Sequence, residues 1–280
     1  RVLGGYAMIG LLDLLSFLLN WTNAVILFLI LHTFLSVRKN LALQIAAVLS
    51  GPWLFNAVVY SNDLPGVLWT LLGFILYIAV FFRGRRMEKL TAVLVFYPAV
   101  IAVNYLVQDT GCRLFFGLVG ADGDAYDEWT YRILFLSTLI HTCFLLLRSL
   151  FWLFSWLCLM KYMKQITENL SLRMWMIVDI LLIAPAVSIY TVIYFMPEEA
   201  VIVYPVCGAA IFSSFGGIYL AAYISNALRT EYGARELRMK LAYYHDKASE
   251  EERVRSIYHD MKNHLLVLQA QEGHSQEIGE

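Results

Sequence analysis

Apolar runs bounded by charge set the terms for this chain. Crossing a hydrocarbon layer of roughly 30 Å takes about 20 helical residues, and helices satisfy every backbone polar group within one segment. Seven such runs can be counted, over residues 9–36, 41–60, 64–82, 90–107, 133–160, 174–196 and 200–225. The first and fifth exceed one span, which predicts tilt or an added interfacial turn at each. Composition agrees: 60% of the 280 residues are hydrophobic, 15% are charged and the mean hydropathy is +0.63, values outside the range of ordinary soluble domains. The reading is all-α, a polytopic membrane helical bundle.

Orientation follows from Lys and Arg, which are retained on the cytoplasmic side. Arg38 and Lys39, then Arg83, Arg85, Arg86 and Lys89, then Lys161, Lys164 and Arg173, and finally Arg229 fall in alternate connections. The intervening connections, 61–63, 109–131 and 197–199, hold only Arg113 between them. The N-terminal end is therefore expected outside, the longest outer loop at 109–131, and everything after Asn226 in the cytoplasm. The outer loop reads as acidic, with Asp109, Asp122, Asp124, Asp127 and Glu128. Asp122-Gly123-Asp124 has the start of a calcium loop, but Tyr126 takes the next ligand position and no Glu lies twelve residues on, so no metal is expected. The acidity suits a cationic or amphipathic ligand.

Polar residues inside the apolar runs are costly and therefore informative. Arg148 in the fifth run and Asp179 in the sixth are expected at similar depth, where they can pair or each reach the interface alone. His32 and His141 are read as packed, hydrogen-bonded residues. Pro52, Pro98, Pro185 and Pro205 each free a backbone carbonyl, an ordinary feature of membrane helices. Cys112, Cys143, Cys158 and Cys207 show no Cys-x-x-Cys spacing and indicate neither a metal knuckle nor a disulfide framework. Arg1 in place of Met suggests a start inside a longer chain.

Two regimes meet near Asn226. Residues 1–226 carry 25 of the 43 charged side chains, and the last 54 residues carry the other 18. After Asn226, Leu237, Leu241, Tyr244 and Ala248 recur at helical spacing, as do Val254, Ile257, Met261, His264 and Leu268. These are two seams of a coiled coil, offset by a phase shift near Glu250 to Glu252. The expected domains are a membrane domain at 1–226, a coiled-coil linker at 227–252, and a further helix at 253–280.

That last helix carries the chemistry. With Val254, Ile257 and Met261 in the seam, His259 falls on the solvent side. Asp260 is its neighbour, and a carboxylate that accepts the Nδ1 proton of an imidazole leaves Nε2 free as a nucleophile. Asn263 lies one turn on, where its amide can orient a water. Tyr244-His245-Asp246-Lys247 repeats the start of this pattern two heptads upstream but lacks the Asn and second His at matching offsets.

His259-Asp260-Met261-Lys262-Asn263-His264-Leu265 resembles the phosphoacceptor box of histidine kinases with a GHKL-type ATPase domain. It is most similar to the polytopic subgroup that senses secreted peptides in quorum sensing of Gram-positive bacteria. The resemblance covers about a dozen residues. It implies that His259 is phosphorylated, Asp260 is the adjacent acid, and Asn263 aids dephosphorylation of a partner response regulator. It further implies a two-component system in a bacterial cytoplasmic membrane, a homodimer, an extracellular ligand of peptide type, and no direct contact with nucleic acid. Residues 1–226 become the sensor and 253–280 the first helix of the dimerisation and phosphoacceptor domain, with Gln271-Glu272-Gly273 as its turn. No Asn-box, Asp-x-Gly-x-Gly or glycine-rich lid is present, so ATP and Mg2+ are expected only through a C-terminal domain beyond Glu280, without which the chain is inactive. Two other classes compete: a non-catalytic receptor or scaffold with a dimerising tail, and a transporter. No internal similarity between halves supports the transporter.

Overall fold

The computed structural model describes residues 2–58, 63–119, 131–166, 172–195 and 201–277. Seven helices follow one another: α1 (Val2–Phe34), α2 (Leu41–Phe55), α3 (Leu64–Phe81), α4 (Arg86–Val119), α5 (Tyr131–Ile166), α6 (Leu172–Phe195) and α7 (Val203–Glu277). Among the described residues the only extended pairing is an isolated bridge between Val37 and Phe82. The chain divides into two compact units, Arg1–Asn226 and Ala227–Glu280.

In the first unit, α4 is the axis. Every residue from Thr91 to Tyr105 is buried except the half-buried Leu94, and Ala92, Ala99 and Ala102 are fully covered, small side chains that let neighbouring backbones approach. Helices α3, α5 and α6 pack on α4, while α1 packs on α2 and α5. The outward faces are apolar too: Leu146, Leu147, Leu150, Phe154 and Leu157 of α5 and Ile177, Ile180 and Leu181 of α6 are exposed. A soluble protein does not present such continuous stripes to water, whereas acyl chains accept them. Five helices, α1, α4, α5, α6 and the start of α7, are long and apolar enough to cross a membrane.

The helices depart from the apolar runs in ways their side chains explain. The second run breaks early: α2 ends after 15 residues, about 22 Å. Pro52 removes one amide donor from its last turns, and Asn56 then leaves the helix. It and α3 are shorter than the other five. The fourth run instead overshoots, because α4 continues twelve residues past Val107. Asp109 accepts from Arg113 Nε at 2.8 Å one turn on and from the Tyr204 hydroxyl of α7, so these charges are paired on helices. The acidic outer loop therefore cannot begin at Asp109. Asp122, Asp124, Asp127 and Glu128 lie outside the described residues.

At the opposite end of α4, the basic residues of two connections gather on one acceptor. Arg38 Nη2 and Lys89 Nζ both donate to Ala79 O, at 3.3 and 3.2 Å, near the negative end of the α3 dipole. Gly84, at φ +151°, makes the turn into α4, and Glu88 accepts from Arg85 N–H at 2.9 Å across the first turn of that helix. A Cβ at Gly84 would lie 2.8 Å from Glu88 Oε2.

The second unit is one stretch of helix. It runs without a break through the phase shift at 250–252 and past Gly273, so the turn expected at 271–273 is not formed. A lone glycine costs a helix only about 1 kcal/mol relative to alanine, too little to end it between Gln271, Glu272 and Gln276. Pairs one turn apart support the surface: Arg235 with Glu231 at 2.7 Å and Lys240 with Glu236 at 2.8 Å. The Lys240 hydrogen bond, and then its charge, hold the Glu236 carboxyl below the usual range.

Candidate functional site

His259, Asp260 and Asn263 share an exposed face of α7, the imidazole and carboxylate each more than 70% accessible. Asn263 Nδ2 donates to His259 Nδ1 at 3.2 Å, the geometry that four-residue helical spacing dictates. Asp260 Oδ1 stands 4.0 Å from the same Nδ1, ion-pair range but beyond a hydrogen bond. The expected order of partners is thus exchanged: the amide, rather than the carboxylate, holds Nδ1. Adjacent residues on a helix point about 100° apart, which is why Asp260 reaches the ring only obliquely. An amide nitrogen has no lone pair to offer, so this bond requires Nδ1 unprotonated and places the neutral imidazole's proton on Nε2.

The seam residues Val254, Ile257 and Met261 are exposed in the single chain, as are Leu237, Leu241 and Tyr244. His245 and His264 are exposed as well. Among the described residues no group of three or more His, Cys, Asp or Glu is placed to hold a metal. The two cavities described below are lined by residues before Asn226.

The bundle contains a second constellation that apolar counting passes over. Arg148 is 4% exposed. Its Nη2 donates to Asn20 Oδ1 and Asn56 Oδ1, both at 2.8 Å, and its Nη1 to Asn104 Oδ1 at 3.3 Å. Asn104 Nδ2 in turn donates to Phe55 O at 2.8 Å and Ala57 O at 2.9 Å, carbonyls freed where α2 ends. Asn23 Nδ2 donates to Asn56 Oδ1 at 2.8 Å, and Asn56 Nδ2 to Asn20 O at 3.2 Å. Four helices are tied together by one guanidinium and four amides. Arg148 therefore neither snorkels nor pairs with Asp179, whose Oδ1 accepts from Thr91 Oγ1 in α4. The asparagines meet it first because α1, α2 and α4 converge on that level of α5. The signal was present in the sequence as four Asn inside or at the edge of apolar runs, residues that bind helices to one another.

A cavity of about 700 Å3 lies beside this cluster. Arg148, Asn20, Asn56 and Asn104 form its polar wall, and Phe17, Trp21, Phe115 and Phe144 much of its apolar one. Trp53 and Phe116, both exposed, stand at its border. His141 also lines it and is exposed, so it is not the packed residue expected; His32, exposed too, stacks on Phe28. A smaller cavity of about 420 Å3 lies between α1 and α2.

The fold and these polar clusters define a helical membrane protein. No family model, curated protein or solved structure matches the chain.

Proposed function

We propose that this chain is the sensing and phosphoaccepting part of a membrane histidine kinase of the two-component type, similar to the peptide-sensing quorum receptors. In this reading the bundle spans the membrane seven times with α2 and α3 included, the N-terminus outside and residues after Asn226 in the cytoplasm. An extracellular ligand biases the helix packing, α7 carries the change, and His259 is phosphorylated and hands the group to a response regulator. The observation that carries the reading is the exposed face of α7, where His259, Asp260 and Asn263 stand together within 4.0 Å of one ring nitrogen.

What this chain supplies is the acceptor and its tautomer. With Asn263 on Nδ1, the lone pair of the ring points away from solvent and His259 rests. When Asp260 closes from 4.0 Å to hydrogen-bond reach, the ring gives its Nε2 proton to solvent and gains one on Nδ1, the carboxylate accepts a hydrogen bond from that Nδ1–H, and the freed Nε2 lone pair becomes the nucleophile. In this reading the phosphoryl group comes from ATP held by a separate domain, since the sequence has no Asn-box, Asp-x-Gly-x-Gly or glycine-rich lid.

The test is incorporation of acid-labile phosphate by the intact protein in membranes. Label that appears in the parent and is lost in His259→Gln supports the reading. Equal labelling of the two, or none in either together with normal signalling by His259→Gln, would replace it with a non-catalytic receptor whose tail only dimerises.

A further inference from the structure

We infer that the cavity beside Arg148 is a binding site for the carboxylate of an otherwise apolar ligand. The inference names a ligand class for the sensor proposed above, and its use as a signal rests on that reading.

The argument begins with charge. A cation buried among apolar helices is costly unless something offsets it. Arg148 has three hydrogen-bond acceptors, and all are neutral amide oxygens; its Nε is buried with no partner. Among the described residues the cavity lining holds no Asp or Glu, and Arg148 is the one permanently charged residue. Among the described residues no carboxylate forms an ion pair with Arg148: Asp179 is engaged with Thr91, Asp109 with Arg113 and Tyr204, and Asp13, whose charge reaches His141 on the same wall, makes no ion pair with the guanidinium. Among the described residues the guanidinium is thus solvated by dipoles, with no carboxylate in ion-pair contact, on the wall of the cavity.

Size and wall chemistry then narrow the occupant. A single positive charge matches a monoanion, whereas a phosphate dianion would bring a second unpaired charge into an apolar site. Nη1 gives only one of its two N–H donors to Asn104, so one donor of the guanidinium is left for a carboxylate oxygen. Apart from Arg148, the asparagines, Gln108, Cys112, Ser137 and His141, the wall is aromatic and aliphatic, and about 700 Å3 falls within the usual range for small-molecule sites. A short apolar peptide with a free C-terminus and a fatty acid share this chemistry.

The test uses the full chain in lipid nanodiscs, with dansylaminoundecanoic acid and its methyl ester as paired fluorescent probes. The acid is expected to bind about tenfold or more tightly than the ester, the scale of one charge-assisted hydrogen bond. Equal binding of acid and ester to the unaltered protein overturns the inference without any variant. In Arg148→Gln the preference should vanish. Asn20→Asp keeps the side-chain shape and puts an internal carboxylate at the 2.8 Å position, so it should abolish the preference while the bundle stays folded. Retention of the preference in a folded Asn20→Asp protein also overturns it. Displacement of the probe by oleate but not oleyl alcohol assigns the membrane as source. Displacement by an apolar tetrapeptide but not its C-terminal amide assigns a peptide. Displacement by neither counts against the site. Phosphate labelling at His259 is read separately: acid preference without labelling removes the kinase and keeps the site, and labelling without acid preference does the reverse.

Discussion

Arg148 donates through Nη2 to Asn56 Oδ1 at 2.8 Å, and so ties the middle of α5 to the residue where α2 leaves its helix. The same amide takes Asn23 Nδ2 on that oxygen and gives its own Nδ2 to Asn20 O. One side chain at a helix end thus joins three helices, and the early stop of α2 is what frees it.

Asn104 should be the costliest residue of this cluster to remove. It is 1% exposed and serves two backbone carbonyls and the guanidinium at once. Asn104→Leu leaves all three without it, and each buried group without a partner costs about 1–3 kcal/mol. A loss of several kcal/mol is expected in mixed-micelle unfolding, whereas Asn104→Gln should lose less.

Arg148 and Asp179 should behave as independent residues. They share no hydrogen-bond partner, since one is bound to amides of α1, α2 and α4 and the other to Thr91. Stability changes of Arg148→Gln and Asp179→Asn should therefore add to within about 0.5 kcal/mol. A coupling above ~1 kcal/mol in the double-mutant cycle would show that the charges sense one another.

Gly84 is the turn residue whose replacement should matter most. Its φ of +151° is open to glycine alone, and a Cβ there meets Glu88 Oε2 at 2.8 Å and Leu35 Cδ2 at 3.3 Å. Gly84→Ala should cost about 1–3 kcal/mol and displace Glu88 from Arg85 N–H. Thermal unfolding in detergent, compared with Glu88→Gln, separates the backbone strain from the lost cap.

At the face that carries His259 the prediction concerns the tautomer. Nitrogen-15 spectra of labelled histidine should show the His259 proton on Nε2 in the parent, and a shift toward Nδ1–H in Asn263→Ala. Asp260→Asn should slow labelling of His259 by about 10²–10⁴-fold, the usual effect of removing a positioned acid or base. An unchanged rate would mean that Asp260 stays 4.0 Å away throughout.

The helical class and the long apolar helices were legible because hydrophobic run length is a local property, bounded by charges anyone can count. Where the sequence misled, a neighbour decided. Asp109 looked like loop because it is charged, yet Arg113 and Tyr204 make it a helix residue. Arg148 and Asp179, opposite charges expected at similar depth, were open to pairing or to reaching the interface alone. Three amides from other helices reached the guanidinium instead, and a chain read in order does not reveal which helices converge. On α7 the face of His259 followed from spacing, but its hydrogen-bond partner did not, since that depends on side-chain rotamers one turn apart.

Ile257 gives the sharpest test of the paired-helix reading. It is 57% exposed, and Val254 and Met261 beside it are 61% and 58% exposed. An apolar stripe of this length on an isolated helix gains nothing from water; against the same stripe of a second chain each side chain would be worth about 1–2 kcal/mol. Ile257→Lys inserts a charge where the two seams meet and leaves His259 untouched on the far side of the helix. The expected result is a shift of the detergent-solubilised protein from dimer to monomer by sedimentation, with carboxylate binding in the bundle unchanged. Glu251→Lys, on the solvent side, should leave the dimer intact. If Ile257→Lys stays dimeric, the seam is not the contact between chains, and the orientation of His259 toward solvent loses its main support.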